Sequence, residues 1–267
     1  MSLRTTARAL PAMMKVGFAE AVAYRAEMLV WMLSTTMPLV MLALWNAVAA
    51  DAPVGRFGQA EFTTYYLLMF ICRQLTGAWA AWQMNYEVRT GALSRRLLKP
   101  ISPIASYAVE NLAALPLRSL VAVPMAVIAL FAVARSTLAS DGRHWALVPV
   151  ALAGGWTITF LINIAIGALS LYMESSLKIM ELYFTLFAVF SGYLIPVELF
   201  PPFLLAVVKW LPFRFQVGLP VELVTNAHSF PEALRLVGIQ WAWVAALGVG
   251  TAALWKNGLR RYAAYGG

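Results

Sequence analysis

Few residues in this chain are of types that make or break bonds. It has one cysteine, Cys72, and two histidines, His144 and His228. A lone thiol inside an apolar run offers neither a disulfide framework nor a thiolate metal site within one chain. Neither histidine has a second ligand at metal spacing, so both read as plain surface histidines. Ser191-Gly192 has the small-residue setting of a nucleophilic serine, but no histidine sits in the apolar runs to act as its base. The phosphate-binding pattern G-x-x-x-x-G-K-[ST] is absent, so ATP hydrolysis by that route is not expected of this chain. What remains is the chemistry of cations. Arg73 stands midway along an apolar run, and RTGALSRRLLKPISP, from Arg89 to Pro103, gathers four cations between two such runs.

The elements that place these cations follow from composition. The chain is 61% hydrophobic and 12% charged, whereas soluble domains carry about 25% charged and about 45–50% apolar residues. Apolar runs near the length of about 20 residues needed to cross hydrocarbon as helix recur along it. They are continuous and rich in Leu, Ala, Val and Met, without the period-two alternation of a membrane barrel. The expected fold is an all-α polytopic membrane protein. The net charge of +8 then reflects cations retained in loops, and nucleic-acid binding is not expected. Residues 1–27 carry scattered charges between short uncharged stretches, unlike a secretory signal. They read as an amphipathic helix lying in the interface.

Six spans are expected, near Met28–Ala50, Phe62–Met84, Leu112–Val133 with a lead-in from Ile104, Trp145–Met173, Ile179–Leu199 and Val237–Trp255. Arg4, Arg8, Lys15, Arg25, Arg89, Arg95, Arg96, Lys99, Lys178, Lys256, Arg260 and Arg261 then share one side. Arg56, Arg135, Arg143, Lys209, Arg214 and Arg235 share the other. The bias puts both termini in the cytoplasm. The stretch from Ser191 to Leu236 is too apolar for an exposed loop, yet Pro196, Pro201, Pro202, Pro212 and Pro220 break it. A re-entrant helical hairpin over 200–236 satisfies both facts, because non-helical backbone at membrane depth survives only inside protein or along a cavity. Two further spans are the alternative, and they would put Lys209 and Arg214 at depth. The rest divides into spans one and two (28–85), a cytoplasmic loop (86–103), spans three to five (104–199), and span six with a basic tail (237–267), all in one transmembrane domain.

In the cytoplasmic loop, Gly91 ends one helix and Pro100 disfavours helix at Lys99. The intervening two turns place Leu93, Leu97 and Leu98 on one arc and Arg95, Arg96 and Lys99 on the other. Such a helix is either a topological signal resting on anionic lipid or a dock for a cytoplasmic partner. GALSRRLLKPISP after a second span, together with SGYLIPVELFPP after a fifth, resembles the permease subunits of type-2 ATP-binding-cassette (ABC) exporters. The closest branch has a "G-x-L-x-x-x-L-L-[KR]-P" loop, matched here by Gly91, Leu93, Leu97, Leu98, Lys99 and Pro100. The resemblance covers nearly the whole chain. It implies that the loop is a coupling helix seated in a separate ATPase, with Glu87, Arg89, Arg95 and Arg96 beside it, and with Leu93 and Leu97 transmitting the stroke. It further implies a second permease, identical or homologous, and two ATPase subunits holding ATP and Mg, with no cofactor bound by this chain. The setting would be a bacterial-type inner (plasma) membrane. Gly192, Pro196, Pro201 and Pro202 would belong to an outer gate.

The turn MESSLKIME, with Glu174, Lys178 and Glu181, is either a second ATPase contact or a solvated turn. An arginine at the centre of a span costs roughly 2.5–3.5 kcal/mol on insertion scales, so Arg73 should face a bundle interior or a wet cavity. It either lines a translocation path and meets an anionic substrate group, or bonds a neighbouring helix, with Asn163 a candidate partner. Gly77 and Ala81 on the same helix suit close packing. Arg118 is expected to snorkel or to pair with Glu110. Two other functions fit less of the sequence. A non-transporting scaffold would use the same basic helix. An ion-coupled transporter would need acids within spans, where only Glu110 comes near the membrane.

Overall fold

Nearly every apolar run folds as helix. The computed structural model describes residues 3–24, 30, 35–133, 138–139, 141–225 and 227–265, among which there is no strand, only an isolated bridge between Val54 and Phe57. In chain order the helices are α1 (Leu3–Ala23), α2 (Met37–Val48), α3 (Gln59–Thr76), α4 (Ala80–Arg89), α5 (Leu93–Leu97), α6 (Pro103–Ala113), α7 (Leu115–Val133) and α8 (Gly142–Leu169). After these come α9 (Leu177–Phe190), a 3-10 turn (Val197–Leu199), α10 (Pro202–Val208), α11 (Arg214–Val224) and α12 (Phe230–Tyr265). Residues 25–29 and 31–34, which include Arg25 and most of the start of the expected first span, lie outside the described residues, as does Arg135.

By length and apolarity, Gly142–Leu169 and Phe230–Tyr262 can each cross a membrane. A third candidate is the pair Pro103–Leu120 and Val123–Ala132, bent by 49°. Leu120, Met125 and Ile128 on α7 are each at least 65% exposed. An outward apolar face of that kind belongs against lipid or another subunit.

The long helices set the topology. Gln240 donates to the Ala151 carbonyl (2.8 Å), Thr251 to Leu161 (3.3 Å), and Tyr172 to Leu254 (2.8 Å). Residue numbers rise together along both helices, so α8 and α12 are parallel. The chain between them must return to its starting end. The α9 helix provides the return. Beyond it the chain enters the bundle again. Trp243 of α12 donates to the Trp210 carbonyl (3.0 Å), and Gln216 accepts from Thr159 of α8 (3.0 Å). It leaves where the Ala139 amide donates to Val224 (2.8 Å). Every residue of α11 is buried. Gly155 admits this helix, since a Cβ there would lie 2.3 Å from the Gln216 carbonyl oxygen.

The expected second span is two helices. At Gly77 the backbone turns extended (ψ 141°), and helix resumes at Ala80. Glycine's poor helix propensity permits the break, and neighbouring side chains satisfy it. Arg118 Nη2 donates to the Gly77 carbonyl (3.1 Å), the Trp79 amide to Asn111 Oδ1 (3.1 Å), and the Ala81 amide to Asn163 Oδ1 (3.4 Å). Gly77 is therefore a break residue, not half of a packing pair. Ala81 does pack closely, for a Cβ on Gly167 of α8 would lie 3.3 Å from its Cα.

Asn111→Leu removes the acceptor for the buried Trp79 amide. It should lower the stability of the purified chain by about 1–3 kcal/mol, read as a fall in thermal melting temperature in detergent. An unchanged melting temperature would mean that water already satisfies the break.

Candidate functional site

The loop after α4 is held from beneath. Gly91 adopts a left-handed φ of +73° with nothing within 4 Å of a would-be Cβ, so conformation alone favours glycine there. The turn sends α5 back across the ends of α4 and α6. Arg96 then reaches inward, 2.6 Å from Glu87 on α4 and 2.7 Å from Glu110 on α6. Its guanidinium lies over the Tyr107 ring (4.2 Å), and the Tyr107 hydroxyl donates to Glu87 (2.7 Å). Burial works against the charge on Arg96, but the two carboxylates outweigh it and raise its pKa. The cation stays on at any physiological pH.

This geometry corrects the expected division into a leucine face and a basic face. Leu93 is fully buried among Met84, Tyr107, Leu171 and Trp255, so it offers nothing to a partner. Arg96 and Glu87 are spent inside the chain. The outward surface is Arg89, Arg95, Leu98, Lys99 and Pro100, with Leu98 85% exposed and Leu97 half-buried. Ser94 bonds the Tyr262 hydroxyl (3.0 Å) near the end of α12, and Asn85 donates to Ser176 (3.2 Å) in the turn after α8. The loop, the exposed trio Glu174, Lys178 and Glu181, and the basic end of α12 thus occupy one end of the molecule.

A cavity of about 340 Å³ lies at the break between α3 and α4, bordered also by α7, α9 and Tyr193. Arg73 and Arg118 both line it. Arg73 stacks over Phe187 (5.0 Å) and Arg118 over Trp79 (4.2 Å). The expected partners are engaged elsewhere. Asn163 bonds Ala81 and Thr159, and Glu110 bonds Arg96 and Gln83. Arg118 is 6% exposed and does not snorkel.

At the opposite end, Gly192 turns the chain out of α9 with φ +87°, where a Cβ would lie 2.5 Å from the Tyr65 hydroxyl. Tyr65 donates to the Gly192 carbonyl (2.8 Å), and Trp45 (3.1 Å) and Tyr66 (2.8 Å) both donate to Leu194. Arg56 pairs with Glu198. Pro196 is buried, while Pro201 and Pro202 are exposed.

The family description "ABC-2 family transporter protein" matches residues 22–266. The chain belongs to the ABC-2 transporter family. It is therefore the membrane permease of an ABC transporter, a type of subunit that works with an ATPase. No protein of curated function matches it.

In this permease, His144 is not a surface group, and His228 is half-buried. His144 is buried and contacts the His228 carbonyl (3.1 Å), and His228 lies 2.8 Å from Glu222. Glu222 also meets Arg214 (2.6 Å) inside the bundle. An acid and an arginine are therefore buried as a pair within α11, a pairing that the sequence reading did not draw. Their signal was present as opposite charges inside an otherwise apolar segment, but eight residues apart instead of four.

Leu93→Asp should destabilise the permease by about 3–5 kcal/mol, because it buries an uncompensated charge. Leu98→Asp should change stability by no more than about 0.5 kcal/mol. Melting temperatures of the two purified variants check both, and equal losses would mean that the loop packs otherwise.

Proposed function

We propose that this chain forms half of the membrane unit of an ABC exporter in a bacterial-type inner membrane. A second permease, identical or homologous, completes the unit, and two cytoplasmic ATPase subunits carry ATP and Mg. The chain itself hydrolyses nothing. In this reading it crosses the membrane six times, with both termini cytoplasmic and α1 in the interface. The second crossing is the broken pair α3–α4, the third the bent pair α6–α7, and α10–α11 form a re-entrant hairpin at the outer side. Parallel α8 and α12, with the chain returning between them, support this count.

The observation that carries the coupling role is the braced loop. A docking helix must transmit force rather than yield to it. Here the Arg96 clamp to Glu87 and Glu110, with Leu93 locked beneath, makes α5 rigid against α4 and α6. Its exposed side offers one large apolar side chain, Leu98, flanked by Arg95 and Lys99, with Arg89 nearby. An apolar anchor within a polar rim is the usual composition of a binding hot spot. Glu174, Lys178 and Glu181 lie at the same end and supply a second, smaller contact. ATP-driven closure of the ATPase pair would move α5. The spans would follow, and the outer segment from Gly192 through Pro196, Pro201 and Pro202 would open as the gate. The cavity with Arg73 forms part of the path.

Leu98→Asp should weaken association with the cognate ATPase by about 2 kcal/mol, roughly 30-fold in Kd, and remove the permease-dependent part of ATP hydrolysis. Co-purification and ATPase assays in proteoliposomes read the two effects. Full stimulation in a stably folded Leu98→Asp permease would end the coupling reading. Failure of any ATPase to co-purify with the wild-type chain would favour a non-transporting scaffold.

A further inference from the structure

Among the described residues, the cavity beside the helix break is lined by two cations and no acid, and no described ion pair involves Arg73 or Arg118. Both guanidiniums border Gly77. A Cβ there would lie 3.2 Å from Arg118 Nη1 and 3.4 Å from Arg73 Nη1, so the two like charges flank the same glycine. Each stacks on an aromatic ring, Arg73 on Phe187 and Arg118 on Trp79. Stacking occupies the face of a guanidinium and leaves its edge donors for other partners. Arg118 is 6% exposed, and its Nε has no hydrogen-bond partner. Buried donors of this kind are normally satisfied, and like charges that flank one residue repel unless an anion lies between them. The remaining walls include Trp79, Trp82, Phe184, Phe187 and Tyr193, and the volume is that of a small-ligand pocket.

We propose that this cavity binds the oxyanion headgroup of an amphipathic molecule, with Arg73 and Arg118 as its two guanidinium ligands. The headgroup class is a phosphate, phosphodiester or sulfate. Such an anion would accept charge-assisted hydrogen bonds from both arginines, supply the missing partner of Arg118 Nε, and cancel their mutual repulsion. Its apolar body would lie against Trp82 and Phe184, which stack at 5.4 Å in the same wall. That this occupant is cargo rests on the permease reading; the binding itself does not.

The test uses the full chain in phosphatidylcholine nanodiscs, with dodecyl phosphate as the probe. Dodecyl maltoside and dodecyltrimethylammonium are the neutral and cationic controls. Trp79 and Trp82 line the cavity, so intrinsic tryptophan fluorescence is the readout. Dodecyl phosphate should give a saturable change at concentrations where the controls give none. Arg73→Gln should weaken it about tenfold, and Arg73→Lys less, since lysine keeps the charge and loses the fork. Arg118→Gln also removes a bond to Gly77, so Arg73→Gln, which leaves the break intact, is the deciding variant. Melting temperature is measured alongside. Equal response to all three amphiphiles, or unchanged dodecyl phosphate binding in a folded Arg73→Gln chain, overturns the assignment. Repeating the titration with phosphatidylglycerol in the nanodisc separates the sources. Competition assigns the site to a bilayer lipid, and its absence to a free amphiphile; both retain the oxyanion site. No ATPase enters the assay, so failure here leaves the coupling reading standing, and failure of coupling leaves this one standing.

Discussion

A helix interrupted inside a packed bundle must have its freed backbone groups answered by neighbouring protein groups. The break at Gly77–Trp79 sets the arrangement around it for that reason. Asn111 on α6, Arg118 on α7 and Asn163 on α8 each supply one partner. Three helices are therefore held in register with the second element by polar bonds, where apolar packing alone would leave them free to slide. Asn111 and Asn163 are fully buried, and each also bonds the carbonyl four residues back on its own helix. Their orientations are fixed before they meet the break.

Arginines are stabilised here in two different ways, and the difference separates structure from binding. Arg96 and Arg214 meet carboxylates, Arg96 on both sides and Arg214 through Glu222 with His228 beside it. Both are consumed by the fold, because breaking a buried pair leaves an uncompensated charge worth several kcal/mol. Arg73 and Arg118 meet only rings, a carbonyl and polar side chains that carry no charge. Net positive charge therefore collects at the break and nowhere else inside the described bundle. The fold needs Arg118 to cap Gly77, but nothing in the packing calls for a second cation next to it.

Much of the architecture was legible in the sequence because it depends on punctuation and composition. Gly91 and Pro100 bracket α5, Pro201 and Pro202 start α10, and the apolar runs give α8 and α12. The break in the second element was not legible. Gly77-Ala78-Trp79 contains no proline, and a single glycine within a helical pattern is often tolerated, so the three side chains from other helices, which the sequence does not show, decide the break. The loop's facing was misread for a related reason. Five residues of helix are too few for periodicity to outweigh one strong tertiary interaction. Glu87, Glu110 and Tyr107 take Arg96 in preference to Arg95, and that choice rotates Leu93 under the helix and Leu98 out of it. The Arg214–Glu222 pair escaped notice because two turns separate its members, beyond the i+4 spacing at which helix pairs are sought.

The positions of the loop and the break also bear on how a push would travel in the proposed mechanism. Leu93 shares one buried cluster with Met84 of α4, Tyr107 of α6, Ile164 of α8 and Trp255 of α12, so displacing α5 would press on a core that four helices build together. Of these, α4 is the shortest, ten residues or about 15 Å long. It ends at the break. A continuous helix resists bending through its whole hydrogen-bond ladder. The break is held by three side-chain bonds, the two from asparagines worth about 0.5–1.5 kcal/mol net and the one from Arg118 about 1.5–3 kcal/mol. Movement of α4 would therefore be taken up at Gly77–Trp79 before it distorted α3. That is where the Arg73 and Arg118 guanidiniums border one glycine, so a small rotation there changes their separation and with it the hold on any anion between them.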